Sequence, residues 1–141
     1  MIQIIAGKKG KGKTKYLLEK VNAEIKTAHG SIVYLDKSTK HMYELNNKIR
    51  LIDTSAYPIT NSDEFIGFIC GILSQDNDLE QLYLDSFLRI SKLEEEEEKI
   101  AEVLLELEKL GKHFGLSFII SLSKNESDLP EEVKGMIETS L

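Results

Sequence analysis

Gly7-Lys8-Lys9-Gly10-Lys11-Gly12-Lys13-Thr14 is the stretch on which the reading of this chain turns, because it satisfies G-x-x-x-x-G-K-[ST] at every specified position. The two outer glycines, Gly7 and Gly12, let the backbone turn tightly, so that successive N–H groups point inward and form a nest for anionic oxygens. Lys13 supplies a point charge for the outer phosphates, and the Thr14 hydroxyl is a hard oxygen ligand suited to magnesium. A helix opening at this point adds the positive end of its dipole. A random chain of this length meets the pattern roughly once in two hundred times. The flanks match the motif's demand as well: the apolar run Ile2-Gln3-Ile4-Ile5-Ala6 ends directly before Gly7, and a helical period begins directly after. Lys8, Lys9 and Lys11 lie within the expected phosphate-binding loop with Gly10. The motif does not require these lysines, which either strengthen the anion field or solvate an exposed turn.

Outward from the loop, short apolar runs alternate with longer stretches of helical period, which favours an α/β fold with a mainly parallel sheet. Five strands are expected, at Ile2–Ala6, 31–35, Arg50–Asp53, 81–84 and 116–121. Most are continuous apolar runs, as strands covered on both faces should be. Helices are expected over 13–28, 38–48 and 62–74, then in a long stretch from Ser91, and finally after Pro130. In the long one, Ser91 with Glu94 reads as a capping box, and Ile100, Val103, Leu104, Leu107 and Leu110 form an apolar stripe. Glu131 and Glu132 suit the first turn of the last helix. No repeat or low-complexity linker intervenes, so residues 1–141 are expected to form one domain.

The composition is that of an ordinary soluble globular chain: 141 residues, 41% hydrophobic and 30% charged, with a net charge of −6. The acidic balance argues against a dedicated nucleic-acid binder. One cysteine, Cys70, excludes an internal disulfide and any Cys-rich zinc site, and its apolar surroundings suggest a small core residue. No stretch approaches the length of a membrane span, and the first strand follows Met1 without a leader, so a cytoplasmic protein is expected. The five carboxylates Glu94 to Glu98 point all round a helix and read as a solvated start.

A phosphate-binding loop of this kind needs a carboxylate at another strand end to orient the magnesium shell. Asp36, Asp53 and Asp85 each end an expected strand, and each has the alternative of capping the next segment. At the loop itself the chain resembles the P-loop NTPases. From Asp85 onward it also resembles the RecA-like ATPase core: an acid-tipped strand, a long amphipathic helix through Leu110-Gly111-Lys112-His113-Phe114-Gly115-Leu116, then the strand Ser117-Phe118-Ile119-Ile120-Ser121. That resemblance implies a three-layer fold with helices on both faces of the sheet. It further implies that the 116–121 strand inserts between the acid strand and the loop strand. It selects Asp85 as the magnesium-orienting acid and makes Ser121 a candidate facing the γ-phosphate. Over nearly its whole length the chain is similar to short clostridial P-loop proteins without a settled function, some labelled as twitching-motility ATPases, through Leu51-Ile52-Asp53-Thr54, Asp85-Ser86-Phe87-Leu88 and Asp128-Leu129-Pro130-Glu131. The motility label does not carry over to so short a chain.

The expectation is thus an ATP-binding protein using Mg2+. Its phosphate site is Gly7 to Thr14, its metal ligands are Thr14 and Asp85, and Lys13 and Asp85 serve any catalysis. Ser86 stands where hydrolytic members of the RecA-like family place a glutamate beside the acid, so hydrolysis is expected to be weak or stimulated by a protein partner or a second copy. The alternatives are a nucleotide-controlled binding module that does not hydrolyse, and a nucleic-acid-associated ATPase. Ser123-Lys124-Asn125-Glu126 fails the guanine-reading pattern [NT]-K-x-D at two positions. Two arginines, Arg50 and Arg89, are few for a small-molecule kinase.

Overall fold

The computed structural model describes residues 1–141. Six strands, all paired in parallel, form one sheet: β1 (Ile2–Ala6), β2 (Ser31–Asp36), β3 (Arg50–Asp53), β4 (Leu79–Leu84), β5 (Ser117–Leu122) and β6 (Ile137–Ser140), in the order β3-β2-β4-β5-β1-β6. The expected parallel α/β sheet is present with six strands, one more than the five expected. Strand β5 lies between β4 and β1, as the RecA-like resemblance implied. The helices are α1 (Lys13–Glu24), α2 (Ser62–Gln75), α3 (Phe87–Ile90), α4 (Ile100–Phe114) and α5 (Glu131–Lys134).

The period of two along each strand divides the apolar residues between two cores. Ile4, Val33, Leu35, Leu82, Leu84, Phe118 and Ile120 pack into the larger core, together with Phe65 and Ile69 of α2 and Leu104 and Leu107 of α4. Ile5, Tyr34, Tyr83 and Ile119 point the other way and meet Leu17, Leu18 and Val21 of α1. Helices therefore cover both faces. Strand parity then places Asp36, Asp85 and Ser121 on the α1 side, since each lies two residues beyond Tyr34, Tyr83 and Ile119.

Several boundaries differ from expectation for local reasons. The 38–48 stretch is a loop with one short turn at Met42–Glu44, pinned to α1 by Asn22. The Asn22 amide donates to the Glu44 carbonyl at 2.8 Å and its carbonyl accepts from Asn46 N–H at 2.8 Å. No helix starts at Ser91. Its hydroxyl donates back to the Phe87 carbonyl at 2.7 Å, closing α3, and Lys92 then reverses the chain at φ 63°. The expected capping box is absent, and α4 begins only at Ile100. After Pro130 there is a single helical turn, followed by β6, which pairs Ile137 with Ile4 and Thr139 with Ile5 across a register shift. Cys70 is exposed: it sits one position beyond buried Ile69 and so turns away from the core that α2 faces. No helix is long and apolar enough to cross a membrane.

Candidate functional site

The 7–14 loop leaves β1 and enters α1 at the carboxyl end of the sheet, the end where parallel α/β folds gather ligands. Gly10 and Gly12 take φ of 85° and 91°, and Gly12 is the N-terminal cap of α1 in the left-handed region that side chains avoid. Gly7 meets a different constraint. A Cβ there would lie 3.1 Å from the Leu141 carbonyl oxygen, because Leu141 N–H bonds to the Ala6 carbonyl alongside β6. Lys8, Lys9 and Lys11 are exposed, whereas Lys13 is buried. Its ammonium donates to the Lys8 carbonyl at 3.0 Å, folding the side chain back over the loop. Burial pulls the Lys13 pKa below the ordinary lysine value, and the nearby Asp85 carboxylate opposes that shift.

Asp85 follows the last residue of β4 and is itself buried. Four donors hold it. Its Oδ1 accepts from Ser121 Oγ at 2.6 Å, Ser86 N–H at 2.9 Å and Thr14 Oγ1 at 3.2 Å. Its Oδ2 accepts from Tyr34 Oη at 2.8 Å. Tyr34 in turn stacks on Tyr83, with ring centroids 5.9 Å apart and an interplanar angle of 13°. Burial, the Asp85 charge and the hydrogen bond together raise the phenol's pKa well above its usual range, so Tyr34 stays a donor. The loop, three neighbouring strands and the start of α3 thus meet on one carboxylate. The Thr14 hydroxyl gives its proton to Asp85 and keeps its lone pairs for a cation.

The three aspartates named from the sequence part company here. The Asp53 carboxylate accepts from Ser55 N–H and Ser55 Oγ and caps the turn after β3. Asp36, at the tip of β2 beside β4, is buried, and only its Oδ1 is satisfied, by Lys37 N–H at 2.7 Å. Its Oδ2 makes no hydrogen bond. Desolvation and the neighbouring Asp85 charge push the Asp36 pKa up to about 6. Thr54 Oγ1 donates to the Asp36 carbonyl at 3.1 Å and ties β3 to this strand tip. Sequence reasoning names Asp36 but gives it no task; its orphaned oxygen is buried away from solvent. The Ser121 hydroxyl, by contrast, gives its proton to Asp85 and accepts from Ser86 N–H at 2.9 Å.

A cleft of about 270 Å³ opens over these groups, lined by Gly10, Gly12, Lys13, Thr14, Ser86 and Ser121 among others, with no hydrophobic lining residue. The donor set suits Mg2+, which prefers oxygen and is held by one or two protein groups plus phosphates and water. No three metal-binding side chains cluster anywhere in the chain, so a protein-only metal cage is not built here.

No protein-family model matches the chain, and no curated protein does. In shape it is similar to the crystal structure of a KaiC-like protein from the hyperthermophilic archaeon Pyrococcus horikoshii. The superposition has a TM-score of 0.62 and 24% identity and covers 85% of this chain but 61% of that one, so the chain spans less than two thirds of its neighbour's length. These comparisons lend the clostridial resemblance no support. What the likeness shows is the fold, a parallel α/β sheet of the RecA-like order.

Proposed function

We propose that this chain binds ATP with Mg2+ in the cleft over the 7–14 loop and hydrolyses it slowly. The observation that carries this reading is the 3.2 Å hydrogen bond from the Thr14 hydroxyl to Asp85, which joins the loop to the acid-tipped strand. In this reading the backbone N–H groups of Gly10 to Thr14 cradle the phosphates, and Lys13 leaves the Lys8 carbonyl to meet the outer ones. Thr14 and, through the metal's water shell, Asp85 would hold Mg2+, which when bound neutralises charge developing on the phosphate oxygens. Tyr34, Ser121 and Ser86 hold the Asp85 carboxylate in its aim.

Hydrolysis needs an acceptor for a proton of the attacking water, and Ser86 beside Asp85 cannot serve. The group proposed for it is Asp36 at the neighbouring strand tip, a carboxylate with a pKa near 6 whose unpaired Oδ2 is buried and must be uncovered when nucleotide binds. Water's oxygen forms the new bond to the γ-phosphorus, the bond to the departing ADP breaks, and Asp36 takes the proton. Single-turnover hydrolysis at saturating Mg-ATP tests this in wild type, Lys13→Ala and Asp36→Asn. Release of phosphate that is fastest in wild type, and at least tenfold slower in each variant, supports it; equal background release in all three removes the enzyme reading.

That last outcome, with ATP still bound, would select the second reading, a nucleotide-controlled binding module. Ser86 in place of a glutamate is the feature that favours it. A role on nucleic acid has less behind it, given the net charge of −6.

A further inference from the structure

Beside the loop cleft lies a second one of about 360 Å³, and the two share Lys9, Lys37, Ser86 and Ser123 as lining residues. The second cleft extends away from the loop along α3 and the stretch after it. Its far wall is fixed, because Lys124, after β5, pairs with Glu97 and ties that stretch to the sheet. The charges found only in this second cleft are Lys124, already paired, and three others: Arg89, Glu94 and Glu95. None of those three, all exposed, makes an ion pair with another, although a guanidinium and two carboxylates line the same open cleft. Lys37 on the shared wall has no ion-pair partner either. Only Leu88 contributes an apolar surface.

Opposite charges that line one cleft without meeting are complementary to a ligand bearing both signs. A guanidinium fits a carboxylate in a two-point fork, and paired glutamates fit an ammonium. Ser86 takes the left-handed region, φ 56° and ψ 49°, where the chain turns from β4 into α3, the helix that carries Arg89. We propose that the second cleft binds a small zwitterion of the amino-acid class, its carboxylate on Arg89 and Lys37 and its ammonium on Glu94 and Glu95, beside the terminal phosphate of the nucleotide. The adjacency to the phosphate rests on the nucleotide reading; the zwitterion site itself does not.

The probes are the free amino acids in pools, with sodium acetate and methylamine as single-charge controls. They are titrated into the 15N-labelled full chain, with and without Mg-ATP, while the backbone amides are followed by NMR. At least one pool is expected to give saturable shifts at Ser86, Arg89, Glu94 and Glu95, with neither control reproducing them. Arg89→Ala, and separately Glu94→Gln with Glu95→Gln, should weaken the response at least tenfold without altering Mg-ATP shifts at Lys13 and Thr14. The proposal is overturned if no pool moves those amides at about millimolar concentration, if acetate alone reproduces the shifts, or if they persist in both variants. Because Lys13 and Thr14 report nucleotide separately, failure of the nucleotide reading is seen independently.

Discussion

Asp85 shows how much a single carboxylate is asked to do. Tyr34 Oη, Ser121 Oγ, Ser86 N–H and Thr14 Oγ1 all donate to it, from four different segments. Removing one donor tests the arrangement without emptying it. Tyr34→Phe keeps the stack on Tyr83 and deletes one charge-assisted hydrogen bond, which should cost about 1 to 3 kcal/mol in urea unfolding. Mg-ATP affinity should fall several-fold with it. Asp36 makes the opposite prediction. Its pKa rises from 3.8 to about 6 on folding, so the folded state holds the proton more tightly than the unfolded one. That contribution is complete below about pH 4 and is lost as pH rises through about 6. Against Asp36→Asn, wild type should therefore lose about 1 to 2 kcal/mol between pH 4 and pH 7, read from unfolding free energies across that range. If Asp36 accepts the water's proton, kcat/KM for hydrolysis should also rise across an acid limb near pH 6.

At the scale of elements, α4 is the most legible. Its stripe of Ile100, Val103, Leu104 and Leu107 is buried as the spacing requires. Leu104 is fully enclosed, so Leu104→Ala should cost about 2 to 5 kcal/mol in the same unfolding measurement. The start of that helix is not legible, because Ser91 satisfies both a capping pattern and the closure of α3, and only the tertiary path decides between them. The loop before β3 resembles a helix by weak periodicity, yet two hydrogen bonds from Asn22 compete successfully for its backbone. Strand β6 is four residues long and carries one strongly apolar side chain, Ile137; its existence depends on the open edge of β1, which no local pattern reveals. The candidate site is legible where one segment carries it, at 7–14, and less so where separate strand tips converge. The sequence offers Asp36, Asp53 and Asp85 as strand ends, and only the RecA-like resemblance singles out Asp85. Their roles diverge through Ser55, which occupies Asp53, and through burial, which leaves an Asp36 oxygen unsatisfied.

For the whole molecule, the net charge of −6 is the sum of two unlike parts. Residues 1–50 hold eleven basic and four acidic side chains, net +7, and residues 51–141 hold seven and twenty, net −13. The positive part includes Lys8, Lys9, Lys11, Lys13 and Lys15 around the loop, an attractive field for a polyphosphate on an acidic body. ATP affinity should accordingly weaken as salt is raised from about 0.05 to 0.5 M, since exposed charges are screened within a few ångströms there, a trend readable by equilibrium dialysis. The central claim is that the loop and Asp85 form one Mg-nucleotide site, and calorimetric titration of ATP tests it most directly, in wild type, Lys13→Ala and Asp85→Asn, each with Mg2+ and with a chelator. Saturable binding by wild type that weakens at least tenfold without Mg2+, weakens comparably in Lys13→Ala, and loses its Mg2+ dependence in Asp85→Asn is the predicted result. No binding by wild type, or binding that all three proteins share regardless of Mg2+, would contradict it.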